Sequence, residues 1–186
     1  CVGVLAAVGN LIAIRHGAGD STGVTRLAQN GLWLAGGLAL ASGLLLWNLG
    51  PLLARFGQEP HNIEGAMQFL STLVFALPGY LGFMALRGFP AAIGRPGPVM
   101  AISIGGAAAN FALNWALIHG WFGLPPLGLA GIGLVTALVA NLMTLLLFLH
   151  LLRHPAYAAY PLARGLLRPR LAELRELLRL GLPIGG

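Results

Sequence analysis

The chain has 186 residues, of which 57% are hydrophobic and only 9% charged, and a net charge of +6. A soluble domain carries about 25% charged residues, so this chain lacks the polar groups to cover its own surface in water, and lipid supplies the missing surface. The basic excess, eleven Arg against one Asp and four Glu, does not mark a nucleic-acid surface, because the Arg residues lie at the ends of apolar runs rather than among aromatics in a polar stretch.

The first apolar run, Cys1 to Ile14, has no basic region before it and is not a signal peptide. We expect a truncated membrane helix over 1–14. The chain starts without Met inside this run, and another apolar run begins at Leu182, which leads us to expect an internal fragment of a longer membrane protein. The lone Cys1 allows no internal disulfide and no cysteine-based metal site, so no metal or cofactor is expected. No charge occurs in 27–54, 65–86 or 96–152. About 20 residues cross the roughly 30 Å hydrocarbon core, so the last window must fold back once. Gly120-Trp-Phe-Gly-Leu-Pro-Pro126 is the natural turn, since Pro and Gly break helices and aromatics favour the interface. Full spans are expected at 31–54, 66–86, 98–119 and 127–150, with a further one from 182. The runs are long and do not alternate, so they are helices. The fold class expected is all-α, a polytopic transmembrane bundle in one domain cut at both ends.

The Arg positions orient this map. Crossing by crossing, segments 15–30, 87–97 and 151–181 fall on one side with ten Arg, and 55–64 falls on the other with Arg55 alone. The positive-inside rule places the three Arg-rich segments in the cytoplasm. Within the last of them, Leu171, Leu174, Leu177 and Leu178 share a helical stripe, with Arg170, Glu173 and Glu176 mostly off it. Residues 169–180 read either as an amphipathic helix on the cytoplasmic face or as a basic linker.

No Asp or Glu lies within an expected span. The chemistry inside is amide and hydroxyl. Asn110 and Asn114 stand four apart on one helical face, and lipid cannot satisfy their donors and acceptors. They either join helices or line a polar pathway for substrate or protons. Thr136, among small residues on the next helix, either joins that pathway or bonds its own helix at i−4. Pro78 interrupts the 66–86 helix as a candidate hinge, with Tyr80 beside it as a candidate cavity residue. His119 and His150 lie at span ends, and no Ser/His/Asp, His-cluster or phosphate-loop pattern is present, so no enzyme chemistry is expected.

Phe75-Ala-Leu-Pro-Gly-Tyr-Leu-Gly-Phe-Met-Ala-Leu-Arg-Gly-Phe89 resembles the fourth span of the multidrug and toxic compound extrusion (MATE) transporters, NorM type. Asn110-Phe-Ala-Leu-Asn-Trp115 resembles their fifth span, and Gly123-Leu-Pro-Pro-Leu-Gly-Leu-Ala-Gly-Ile-Gly-Leu-Val-Thr-Ala137 the loop and start of the sixth. His16-Gly-Ala-Gly-Asp20 is similar to the loop after the second span, and Leu178-Arg-Leu-Gly-Leu-Pro183 to the start of the seventh. The resemblance implies most of the N-terminal six-helix bundle of a twelve-helix antiporter in the bacterial inner membrane. Such a protein exports small cationic, amphipathic compounds in exchange for protons or sodium by alternating access. It also implies that an acid of the first span, outside this chain, pairs with polar groups matching Asn110, Asn114 and Thr136. The acidic ligands of the coupling ion would lie in the remainder of the same chain. Met84 stands where relatives often carry a polar residue. The alternatives are a lipid-linked oligosaccharide flippase of the same superfamily, against which the lack of a mid-membrane Arg argues, and a non-transporting membrane scaffold.

Overall fold

The computed structural model describes residues 2–48, 67, 70–119, 128–162, 174, 175, 177 and 179. The segments expected at 55–64, 120–126 and from 182 onward lie outside them. Among the described residues the α-helices with defined bounds follow in order: α1 Val2–Gly17, α2 Ser21–Trp47, α3 Ala76–Ala92, α4 Gly97–Ile118 and α5 Gly128–Arg153. A helical run from Leu70 leads into α3. A 3-10 turn, Pro155–Tyr157, follows α5. Among the described residues, four stretches are long and apolar enough to cross a membrane: Ser21–Trp47, Leu70–Ala92, Gly97–Leu117 and Gly131–Arg153. The protein is an all-α, multi-pass membrane bundle.

The helices extend past the charge-free windows. Segment 15–30, expected as a loop, is the end of α1, a tight turn and the first ten residues of α2. Gly19 takes the left-handed conformation (φ 74°) that closes the turn. Asp20 then caps α2, its Oδ1 accepting from the Gly23 amide at 2.8 Å. This amide bond and the Arg15 guanidinium, 3.1 Å away, hold the Asp20 carboxyl below its usual range. Likewise α3 continues through Arg87 to Ala92 rather than ending at 86. Charge marks where the hydrocarbon ends, whereas a helix ends where its hydrogen-bond ladder is capped or broken.

The apolar core joins α1, α2, α3 and the last turns of α5. Leu5, Val8 and Ile12 meet Val24, Leu27 and Ala28, with Leu81, Leu86 and Phe89 from α3 and Leu147 and Leu151 from α5. Gly9 and Gly88 let α1 and α3 come into backbone contact, since a Cβ on Gly88 would lie 2.7 Å from Gly9 Cα. In contrast, α4 packs mainly on α5, and 6% of its apolar stretch is buried against 44% for α3.

The chain beyond α5 is not a free linker. Tyr157 and Leu162 are buried in the core, Gln29 Nε2 donates to Leu162 O at 2.9 Å, and Tyr160 packs edge-on against Phe89 at 5.3 Å. His16 Nδ1 and the Tyr160 hydroxyl are in hydrogen-bond contact at 3.0 Å. Burial raises the Tyr157 phenol above its usual pKa. Leu177 is fully buried and Leu174 packs against the same core, while Arg175 and Arg179 are exposed. Two leucines of the 169–180 stripe, Leu174 and Leu177, thus pack on protein. Leu171 and Leu178 lie outside the described residues. These contacts bring the segments carrying Arg15, Arg26, Arg95 and Arg153 to one end of the bundle.

Candidate functional site: amides within the membrane bundle

On α4, Asn114 Nδ2 donates to Asn110 Oδ1 at 3.1 Å, as their four-residue spacing allows. The pair is only half-buried. Asn114 Oδ1 is itself shielded, yet has no hydrogen-bond partner among the described residues. A shielded amide oxygen without a donor is costly in a low-dielectric setting, so this atom suits a partner that comes and goes or that lies outside the described residues. Beside the pair runs an aromatic ladder. Phe111 and Trp115 are exposed and 6.1 Å apart, and Trp115 stacks on His119 at 4.3 Å.

Thr136 stands level with Asn114 on the neighbouring helix. Gly106, the one α4 residue classed as buried among those described, meets Met143 of α5. From that contact the antiparallel helices carry Asn114 about 12 Å and Thr136 about 10 Å toward the same end, at 1.5 Å per residue. The Thr136 hydroxyl nevertheless donates to Ile132 O of its own helix at 2.9 Å, and it makes no bond to the pair. Tyr80 is exposed on α3 and makes no hydrogen bond to Asn110, Asn114 or Thr136. The structure therefore joins the two asparagines, brings Thr136 to their level and leaves Tyr80 apart.

Pro78 lies at a break in α3. The helical run stops at Phe75 and resumes at Ala76, and Pro78 offers no N–H to Val74 O. A cavity of about 620 Å³ opens beside it, walled by Leu40, Leu44 and Trp47 of α2, by Phe75 and Pro78, and by Asn141 of α5. A second cavity, about 320 Å³, lies between α1 and α3 and holds Asn10, Met84 and Arg87. Met84 thus contacts space that has polar walls without supplying a polar group itself.

Sequence reasoning passed over two sets of polar residues. Asn141 reaches from α5 across to the start of α3, donating to Phe75 O at 2.8 Å, and also donates to Ala137 O of its own helix at 2.7 Å. The available signal was a third asparagine in the charge-free window 96–152, opposite a span containing proline. Thr25, Gln29 and Asn30 are buried in α2, with Gln29 and Asn30 at 8% and 3% exposure, although they fall in the expected loop. Their signal was the Asp20 cap, which moves the helix start ten residues upstream.

Comparison with known proteins identifies the family. The MatE family model matches residues 1–116. A probable multidrug resistance protein NorM of Pseudomonas syringae pv. tomato is 65% identical over the whole chain, which covers 40% of that protein. A probable multidrug resistance protein NorM of Pseudomonas aeruginosa is 66% identical over the whole chain, covering 38% of its length. The chain thus spans about two fifths of the curated relatives it matches. Among solved structures, a multidrug resistance MATE family transporter of the MOP superfamily, in an inward-facing conformation, superposes with a TM-score of 0.83. That likeness covers 98% of this chain and 41% of the other at 21% identity, and carries the fold alone. The family is one of transporters rather than enzymes. With a helical bundle of this fold and a family model matched over more than half its length, the chain belongs to the MatE family.

Proposed function

We propose that this chain is part of a multidrug exporter of the bacterial inner membrane. It would move small cationic, amphipathic compounds outward in exchange for protons or sodium by alternating access. The carrying observation is the α4 face. Asn110 and Asn114 are bonded to each other, and the shielded Asn114 oxygen has no donor among the described residues. An amide acceptor beside an exposed aromatic ladder, Phe111 and Trp115, suits a cationic amphiphile, since the oxygen accepts from an ammonium and the rings take its apolar body. On this reading the acid that would power exchange is supplied by another part of the protein; no Asp or Glu occurs within the four membrane-length helices found among the described residues. The names of the NorM relatives support drug export as the cargo class.

The grouping of Arg15, Arg26, Arg95 and Arg153 at one bundle end supports placing that end in the cytoplasm. Pro78 would serve as a hinge in α3.

The test uses a chain of the relatives' full length. Asn110→Ala and Asn114→Ala should each reduce ethidium or fluoroquinolone efflux while membrane expression stays normal; unchanged efflux would reduce the pair to packing. Cysteines at 18–20 should label only from the cytoplasm and cysteines at 58–62 from outside, and reversed labelling would overturn the orientation.

A further inference from the structure

We propose that Asn141 and Thr144 of α5 are positioning residues that pin the break in α3, so that α3 works as a two-part lever turning beside Pro78. The proposal deepens the hinge reading above and rests on it for its transport consequence.

Three observations converge. The first is the bonding across the break. Asn141 Nδ2 donates to Phe75 O, three residues before Pro78, and Thr144 Oγ1 donates to Gly79 O, the residue after it. The two donors stand three apart on α5 and the two acceptors four apart on α3, so one face of α5 grips both sides of the gap. In lipid a proline break persists where a neighbouring helix supplies polar partners to the disturbed backbone.

The second is the close approach that makes the grip possible. A Cβ on Gly79 would lie 2.5 Å from the Ala140 carbonyl carbon, and one on Gly82 would lie 2.9 Å from Thr144 Cγ2. Gly79 admits only glycine without moving α5, because the obstacle there is backbone, whereas at Gly82 the obstacle is the Thr144 side chain.

The third is the asymmetry of the two arms. Past the break, Leu81, Ala85, Leu86 and Phe89 are 3%, 1%, 0% and 0% exposed and fixed in the core. Before it, Leu70 through Val74 are only half-buried and Phe75 is exposed; Val74 packs on Gly43 of α2, where a Cβ would lie 3.2 Å from Val74 Cγ1, and the 620 Å³ cavity opens beside that contact among Leu40, Leu44 and Trp47. One arm is therefore held in the core, and the other touches α2 at a glycine with open space beside it. Both Asn141 amide hydrogens are committed to backbone carbonyls, so its role is to position α3 rather than to bind cargo.

The experiment uses the full-length chain. With Cys1 replaced by Ser, spin labels at Leu45 and Leu73 report the arm before the break against α2, and labels at Ile14 and Leu152 report the fixed end. Asn141→Ala and Thr144→Val should each broaden the 45–73 distance distribution and leave the 14–152 distribution unchanged. Thr144→Ser, which keeps the hydroxyl, should retain the parent distribution. Thr144→Val is isosteric and serves even if Asn141→Ala folds poorly. In efflux assays the two disruptive variants should lower the maximal rate at least about fivefold with KM within about twofold, and Thr144→Ser should restore it. An unchanged 45–73 distribution in both variants overturns the pin. A raised KM with an unchanged maximal rate also overturns it, since that marks a cargo contact. If the parent chain exports nothing, the transport reading fails, while the distance measurement still decides the pin.

Discussion

Two sets of amides lie within the bundle, and they are used in opposite ways. Asn141 spends both amide hydrogens on backbone carbonyls, one on its own helix and one across to α3, at a crossing where glycine brings the helices into contact. Asn110 and Asn114 share one hydrogen bond and leave a shielded oxygen without a donor among the described residues, on a helix that buries 6% of its apolar stretch. The residue type is the same, as is the apolar setting. What differs is whether a backbone carbonyl of the neighbouring helix lies within reach of the amide. A side chain committed to backbone fixes geometry, whereas one left with an unmet acceptor is available to a mobile partner.

Substitutions sharpen this contrast, and the largest effect belongs to the glycine crossing. Gly79→Leu places atoms against the Ala140–Asn141 backbone. It should abolish a monodisperse peak in size-exclusion chromatography of the full-length chain, because overpacking here can be relieved only by separating α3 from α5. A normal peak would mean that the close approach is dispensable. Next comes the docked segment after α5. Tyr160→Phe removes the contact to His16 and keeps the ring on Phe89. It should cost about 0.5–1.5 kcal/mol, read as a lowered unfolding midpoint, with efflux kept. Thr136→Val should be smaller still, since the hydroxyl bonds only its own helix and its loss relieves i−4 back-bonding; a large loss of efflux would instead place Thr136 with the asparagine pair.

The smallest effect is at the α1–α2 turn. The Asp20 carboxyl is held below its ordinary pKa of 3.8 by the Gly23 amide and Arg15, so its charge stabilises the fold above that pH. The contribution fades as pH falls through the lowered value. Asp20→Asn should therefore slightly lower the unfolding midpoint at neutral pH, and the gap to the parent should close below pH 3.8. The pair is exposed, so the effect is modest.

The all-α bundle and the grouping of Arg-bearing segments were legible because hydropathy and charge report directly on lipid and water. Helix ends were less so. Arg26 and Gln29 read as loop, yet they belong to a helix that runs past the hydrocarbon, and only the Asp20 cap marks its true start. That Asn110 and Asn114 share a face was legible because it is local, a matter of four-residue spacing on one helix; the bond between them came from the structure. Asn141 was not, because its partner is a carbonyl 66 residues away. A main-chain oxygen has no letter in the sequence, and which one a proline break exposes to which helix depends on register. The docking of Leu177 was hidden for a related reason: an amphipathic stripe shows that a helix has an apolar face and not whether lipid or protein receives it.

The contrast between the two amide sites comes down to one measurement, the unfolding midpoints of Asn141→Leu and Asn114→Leu in the full-length chain in detergent. Asn141→Leu forfeits bonds to Phe75 O and Ala137 O, worth roughly 0.6–2 kcal/mol per contact between helices, and its midpoint should fall. Asn114→Leu gives up one bond within its own helix, to Asn110, and removes an oxygen that has no partner among the described residues, so its midpoint should fall less than that of Asn141→Leu while efflux is lost. Equal falls in both would contradict the division between a positioning amide and a pathway amide.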